Sequence, residues 1–144
     1  MNEIRTSNDL NSTVYKDGLY IRTTVFVDEQ NVPPELEIDE FEDMCTYNTL
    51  YVNGAAAATA RYFPTDDNGI HVQRVAVLKK YRKKGLASEL LKHIMKQAQE
   101  NSYDYIILGA QDQANGFYKK LGFEVIGDQY LDAGILHHDM RIEL

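Results

Sequence analysis

The stretch that most constrains this chain is Lys79-Lys-Tyr-Arg-Lys-Lys84, with five cations in six positions, running through Gly85 into an amphipathic helix. From there Leu86, Leu90, Leu91, Ile94, Met95 and Ala98 recur at spacings of 4, 1, 3, 1 and 3, which is one stripe of a helix over residues 84–100. Upstream, His71-Val-Gln-Arg-Val-Ala-Val-Leu78 alternates and is rich in valine, so it reads as a strand. The first helical turn is expected around Lys83 to Ala87, where backbone N–H groups lack intrahelical partners and the positive end of the dipole lies. Cations there are unfavourable by a few tenths of a kcal/mol each. Arg82, Lys83 and Lys84 therefore ask for an anion, and a phosphate or pyrophosphate answers the N–H groups, the dipole and the side chains together. Gly85, which costs up to about 1 kcal/mol in a helix, predicts close approach of a ligand to bare backbone. Neither G-x-x-x-x-G-K-[ST] nor G-x-G-x-x-G is present, so this is not a Walker loop or a dinucleotide fingerprint.

The rest of the chain predicts an α/β domain. Residues 44–52 and 55–63 are apolar segments split by Asn53-Gly54, a strong hairpin signal. With the 70–78 strand they give three successive antiparallel strands, and Tyr105–Gly109, reached through a crossover helix, should run parallel to the last of them. Residues 110–122 read as a short helix with a glycine stop, and Phe123–Ile126 and Leu136–Ile142 as a strand pair across a loop at Gly127–Gly134. At the front, Ile4 marks an edge strand, and residues 8–30 read as weakly helical, broken into two pieces at Asp17-Gly18.

At 144 residues one domain, 1–144, is expected, large enough to hold a core without staples. No apolar run reaches the roughly 18–20 residues of a membrane span. The opening MNEIRTSNDLN lacks the apolar centre of a signal peptide, and the single cysteine, Cys45, cannot pair internally. A cytoplasmic protein is the expectation, with no membrane partner and no metal. The net charge of −7 disfavours nucleic acid, although KKYRKK alone would suit it. Residues 28–43 hold eight acids and no Lys or Arg, a solvated face or an attractor for a protonated amine.

The segment from Val75 to Ala87, with Arg82-Lys-Lys-Gly85-Leu-Ala87 at its centre, resembles the R/Q-x-x-G-x-G/A acetyl-CoA motif of the GNAT superfamily of N-acetyltransferases. Asn115-Gly-Phe-Tyr118-Lys-Lys-Leu-Gly-Phe123 resembles the segment of the later GNAT motif that carries an Asn, a Tyr and a closing Gly-Phe, at the family's spacing. Val25 to Glu40 looks like the small bacterial YjcF-like and ElaA-like branch. The resemblance implies a mixed, mostly antiparallel central sheet with a parallel, splayed strand pair, flanked by helices. It implies acetyl-CoA as co-substrate, its pyrophosphate on Arg82, Lys83, Lys84, Gly85, Leu86 and Ala87 and its pantetheine arm along Val75, Ala76 and Val77, with the Val77 amide at the thioester carbonyl. Asn115 would bond the pantetheine region, and Tyr118 would be the acid that meets the departing thiolate.

The implied reaction is direct attack by a primary amine of a small molecule on the acetyl thioester. Protein or peptide acetylation, and a non-catalytic acyl-CoA-binding module, remain open, as does a homodimer through the last strands. The base is not legible among His71, Glu29, Glu40, Asp112 and His138. Glu29, Arg61, Arg74 and His138 are candidates for the acceptor side, and Arg22 could also answer an acidic group. His137 and His138 are adjacent on a strand and so should face opposite sides, which argues against a metal pair. Cys45 as an acyl carrier competes with a plain buried thiol.

Overall fold

A computed structural model describes all residues, Met1–Leu144. The period-2 segments form seven strands: β1 (Asn2–Ser7), β2 (Thr46–Val52), β3 (Ala55–Pro64), β4 (Gly69–Val77), β5 (Tyr105–Gln111), β6 (Glu124–Asp132) and β7 (Ile135–Glu143). They make one sheet in the order β1-β2-β3-β4-β5-β7-β6. Helices α1 (Thr13–Arg22), α2 (Pro34–Glu37), α3 (Leu86–Glu100) and α4 (Asn115–Lys120) flank it. Asn53 and Gly54, with φ of 48° and 86°, turn β2 into β3 as the dipeptide predicts. Every neighbouring pair is antiparallel except β4–β5, which the α3 crossover makes parallel. The mixed sheet with one parallel pair is thus the architecture found.

The apolar stripe of α3 does what its spacing requires. Leu86, Leu90, Leu91, Ile94 and Ala98 are buried against Ile70, Val72, Ile106, Leu108 and Met140. On the other face of the sheet, Ile21 and Val25 close over Ala76 and Leu78. At about 2 kcal/mol per large buried aliphatic side chain, these two layers supply most of the drive to fold.

Three local expectations are corrected. Asp17-Gly18 does not break the first helix: α1, capped by the Ser12 hydroxyl on the Tyr15 N–H, runs through it and passes into a π-helical segment at Thr23–Glu29. Gly18 is there for packing, since a Cβ would lie 2.7 Å from Thr59 Oγ1. The loop expected at Gly127–Gly134 is mostly strand, because β6 recovers its ladder with β7 at Tyr130 after a bulge that begins at Gly127, φ 72°. The helix expected over 110–122 shortens to α4, because β5 continues to Gln111. No helix is long and apolar enough to cross a membrane.

Candidate active site

The parallel pair opens midway along the sheet. β4 and β5 pair from Gly69↔Tyr105 to Val72↔Leu108 and no further, so Gln73–Val77 keeps only β3 as a neighbour. The β3–β4 ladder shifts there too: Thr59 faces Ala76 and Arg61 faces Gln73, which leaves Arg74 and Val75 opposite Ala60 alone. Arg74 takes φ 58°, a left-handed conformation a non-glycine residue rarely holds. The bulge accompanies the parting of β4 from β5. A cavity of about 500 Å³ fills the wedge, with Val75, Tyr118, His71, His137, Asp139 and Glu37 among its walls.

A second cavity, of about 280 Å³, lies over the start of α3 between Val77, Arg82, Gly85, Ala87 and Phe117. Here the structure changes the expected boundary. α3 starts at Leu86, so the cations precede the helix, and Glu89 in its first turn accepts from the Asn2 side-chain amide. Gly85 stands just before the helix at φ 76° and offers no capping side chain, so the first-turn N–H groups get none. Its glycine is required by that left-handed backbone as well as by any close ligand. Lys83, also left-handed at φ 63°, and Lys84 point outward and are exposed. The Arg82 side chain is already spent: Nε donates to the Val77 carbonyl at 2.9 Å, and both terminal nitrogens reach Glu29 at 2.9 Å. Arg82 can meet an anion through its backbone only while that clasp holds. Glu29 thus braces the loop instead of facing the larger cavity. Val75 and Val77 line the two cavities, whereas Ala76 is packed away under Ile21 and Val25.

α4 carries two more of the expected residues, of which Tyr118 reaches the wedge. Asn115, the first residue of α4, has a buried Oδ1 with no hydrogen-bond partner. Tyr118, on the next turn, is buried between Phe117 and Phe123 and borders the larger cavity. Burial alone holds its phenol well above the ordinary pKa, so it stays protonated and keeps a proton to donate. The parted strands, the uncapped helix start and the orphaned Asn115 oxygen together fit an acyl-CoA. Cys45 does not join them: it is buried in another cluster, and burial pushes its thiol up to about 11.

The remaining candidates separate. Arg61 is fully buried and bonds Glu42, Asp39 and Gln73, so it holds the fold together underneath the cavity. Arg22 is likewise buried against Glu37 and Glu42. Arg74 reaches Glu37 and Asp39 at 3.1 Å from the cavity wall. These ties pin the acidic segment around α2 over the sheet, which is where much of the 28–43 charge goes. Burial would raise the Glu42 pKa, but the Arg22 hydrogen bonds and charge, with the Asp39 N–H and Arg61, hold its carboxyl far below the usual carboxylate range. His138 is turned away from the cavity and bonds Asp112 at 2.8 Å, an acid also held by Gln129. Glu40 is exposed and off the cavity.

Of the five base candidates only His71 lines the cavity. Burial keeps its imidazole below the ordinary 6.5, with the charge of Asp139 acting in the opposite sense. His137, Tyr130 and Asp139 were missed as site residues. Alternation along β7 was the available signal, since His137 and Asp139 share a face.

A protein-family comparison matches residues 23–144 to an acetyltransferase (GNAT) domain. The uncharacterized N-acetyltransferase YjcF of Bacillus subtilis (strain 168) is 39% identical over 131 residues, 90% of this chain and 93% of YjcF. Among solved structures, a putative N-acetyltransferase from Lactobacillus plantarum superposes with a TM-score of 0.91 at 25% identity, covering 99% of this chain and 98% of that one. Escherichia coli ElaA superposes with a TM-score of 0.86 at 26% identity, covering 98% and 99%. The architecture, the parted strands and these likenesses agree, and the chain belongs to the GNAT family of N-acetyltransferases.

Proposed function

We propose that the whole chain, 1–144, acts as one catalytic unit that transfers the acetyl group of acetyl-CoA to the primary amine of a small molecule. The observation that carries this reading is the run Gln73–Val77 of β4, free of β5 on one side, beside a cavity that reaches Tyr118. The pyrophosphate belongs on the backbone of Arg82–Ala87, where the helix start is uncapped and Lys83 and Lys84 add charge. Asn115 Oδ1 accepts a hydrogen bond from the pantetheine arm. Main-chain N–H groups of Val75 or Val77 polarise the thioester carbonyl.

The acceptor amine attacks as its free base, and neutral His71 is the side chain in the cavity suited to take its proton. Tyr118 donates a hydrogen bond to the departing sulfur. The thiolate takes its proton from solvent, to which His71 returns the one it accepted from the amine. A cavity of about 500 Å³, walled by α2 on one side and the β6–β7 hairpin on another, supports a small acceptor over a polypeptide.

The test is thermal unfolding with acetyl-CoA, CoA and ATP, followed by thiol release with a panel of amines. Acetyl-CoA at about 100 times its Kd adds about 2.7 kcal/mol, several degrees for a chain this size. No shift at millimolar acetyl-CoA removes the proposal.

A further inference from the structure

Four carboxylates border the larger cavity: Glu37, Asp39, Asp132 and Asp139. Glu37 is paired with Arg22 and Arg74, and Asp39 with Arg61 and Arg74. Asp132 is exposed at the tip of the β6–β7 hairpin. Asp139 alone is both inside the wedge and without a cation. Asp139 lines the cavity, and its side chain makes one hydrogen bond, Oδ1 accepting from the Tyr130 hydroxyl at 2.7 Å.

Several features of the fold serve this arrangement. The bulge beginning at Gly127 returns β6 to register with Tyr130 opposite His137, their rings stacked at 5.7 Å and 20°. Across β7, the residue paired with Asp139 is Gly109, and a Cβ there would collide with the Tyr130 hydroxyl and sit 3.6 Å from Asp139 Oδ1. Gly109 therefore clears the floor between β4 and β7. His71 faces the same space from β4, and as a neutral imidazole it does not neutralise Asp139. The Tyr130 hydrogen bond orients the carboxylate without cancelling its charge.

A carboxylate beside an amine favours the ammonium form, which has no lone pair with which to attack a thioester. Asp139 is thus suited to a cation that does not react, while His71 serves the amine that does. We infer that Asp139, oriented by Tyr130, is a subsite for a second cationic group of the acceptor, which makes the acceptor a short diamine or polyamine. This deepens the proposed acetyl transfer and rests on it.

The test compares butane-1,4-diamine, butylamine and 4-aminobutanoate, which have the same reach and differ at the far end. Thiol release with the full chain should give the diamine a kcat/KM about 10-fold or more above butylamine, with 4-aminobutanoate poorest. Asp139→Asn should lower kcat/KM for the diamine about 10-fold more than for butylamine, chiefly through KM. Tyr130→Phe, which keeps the charge, should narrow the preference in part. Equal rates for the three probes, or a preference for 4-aminobutanoate, overturn the inference. So does an Asp139→Asn loss that is the same for both amines, because it would place Asp139 behind His71. If no probe turns over, stabilisation by the diamine in the presence of CoA that disappears in Asp139→Asn supports the subsite, and its absence overturns it. Acetyl-CoA stabilisation in the same samples reads the donor site separately and shows that each variant is folded.

Discussion

Gly18 of α1 crosses Thr59 of β3 so closely that a single added methyl would lie 2.7 Å from the threonine hydroxyl oxygen. Thr59 is buried and donates to the Asn48 carbonyl, so it has little room to turn aside. Gly18→Ala should therefore destabilise by about 1–3 kcal/mol, although alanine is the better helix former. Denaturant unfolding checks this, and a stabilised variant would show that α1 can lift from the sheet at no cost.

Gly85 has open space around a would-be Cβ but a φ of 76°. Gly85→Ala should cost about 1–2 kcal/mol from backbone strain alone. Gly85→Val adds bulk beside the first-turn N–H groups, and should reduce the acetyl-CoA thermal shift far more than it lowers the Tm of the free protein. Equal acetyl-CoA shifts in parent and Gly85→Val would separate the loop from donor binding.

Tyr118→Phe keeps the ring that packs on Phe117 and Phe123 and removes only the hydroxyl. It should lower kcat on the order of 10²-fold while leaving the acetyl-CoA Kd within about threefold. Steady-state kinetics with a calorimetric Kd separates the two. A loss confined to Kd would assign the hydroxyl to binding.

His71 sets a pH signature. Its folded pKa lies below 6.5, so it is the free base at neutral pH and is lost as an acceptor as pH falls through that lowered value. The amine titrates far higher, near 10. The parent should show log kcat/KM rising with a slope near 2 in acid and near 1 above the His71 pKa. His71→Gln should keep a slope near 1 throughout; an unchanged profile assigns the proton to water or another group.

Glu42 makes the fold acid-sensitive. Its folded pKa is depressed below the ordinary 4.5, so its contribution is present above that value and lost as pH falls toward the folded pKa. Glu42→Gln leaves buried Arg22 and Arg61 short of a counter-charge and should cost about 3–5 kcal/mol at pH 7. Tm against pH reads both: the parent should drop below pH 4.5, and the variant should lose that part of the slope.

The strand-turn-helix around KKYRKKG was legible because its signals are local: valine alternation, a cation run and a 3.6-residue stripe each act within one element. Asn53-Gly54 was legible for the same reason. Gly18 and Gly127 misled, since glycine at a helix–sheet contact or a bulge is identical in sequence to glycine in a turn. Arg61 and His71 show the limit most clearly. Both lie on strands of the same sheet face, but Arg61 is closed in by Asp39 and Glu42, whereas His71 opens to the cavity.

By itself the sequence determined most of the strands, the α3 helix and the basic turn before it, because backbone propensity and periodicity are properties of neighbouring residues. Tertiary structure alone decided which charges are cancelled and which are left for a ligand. That choice depends on where β4 parts from β5, on the bulges at Arg74 and Gly127, and on ion pairs such as Arg74–Glu37 and Arg82–Glu29, whose partners lie 37 and 53 residues apart. Coulombic and hydrogen-bond energies follow distance in space, and folding sets that distance.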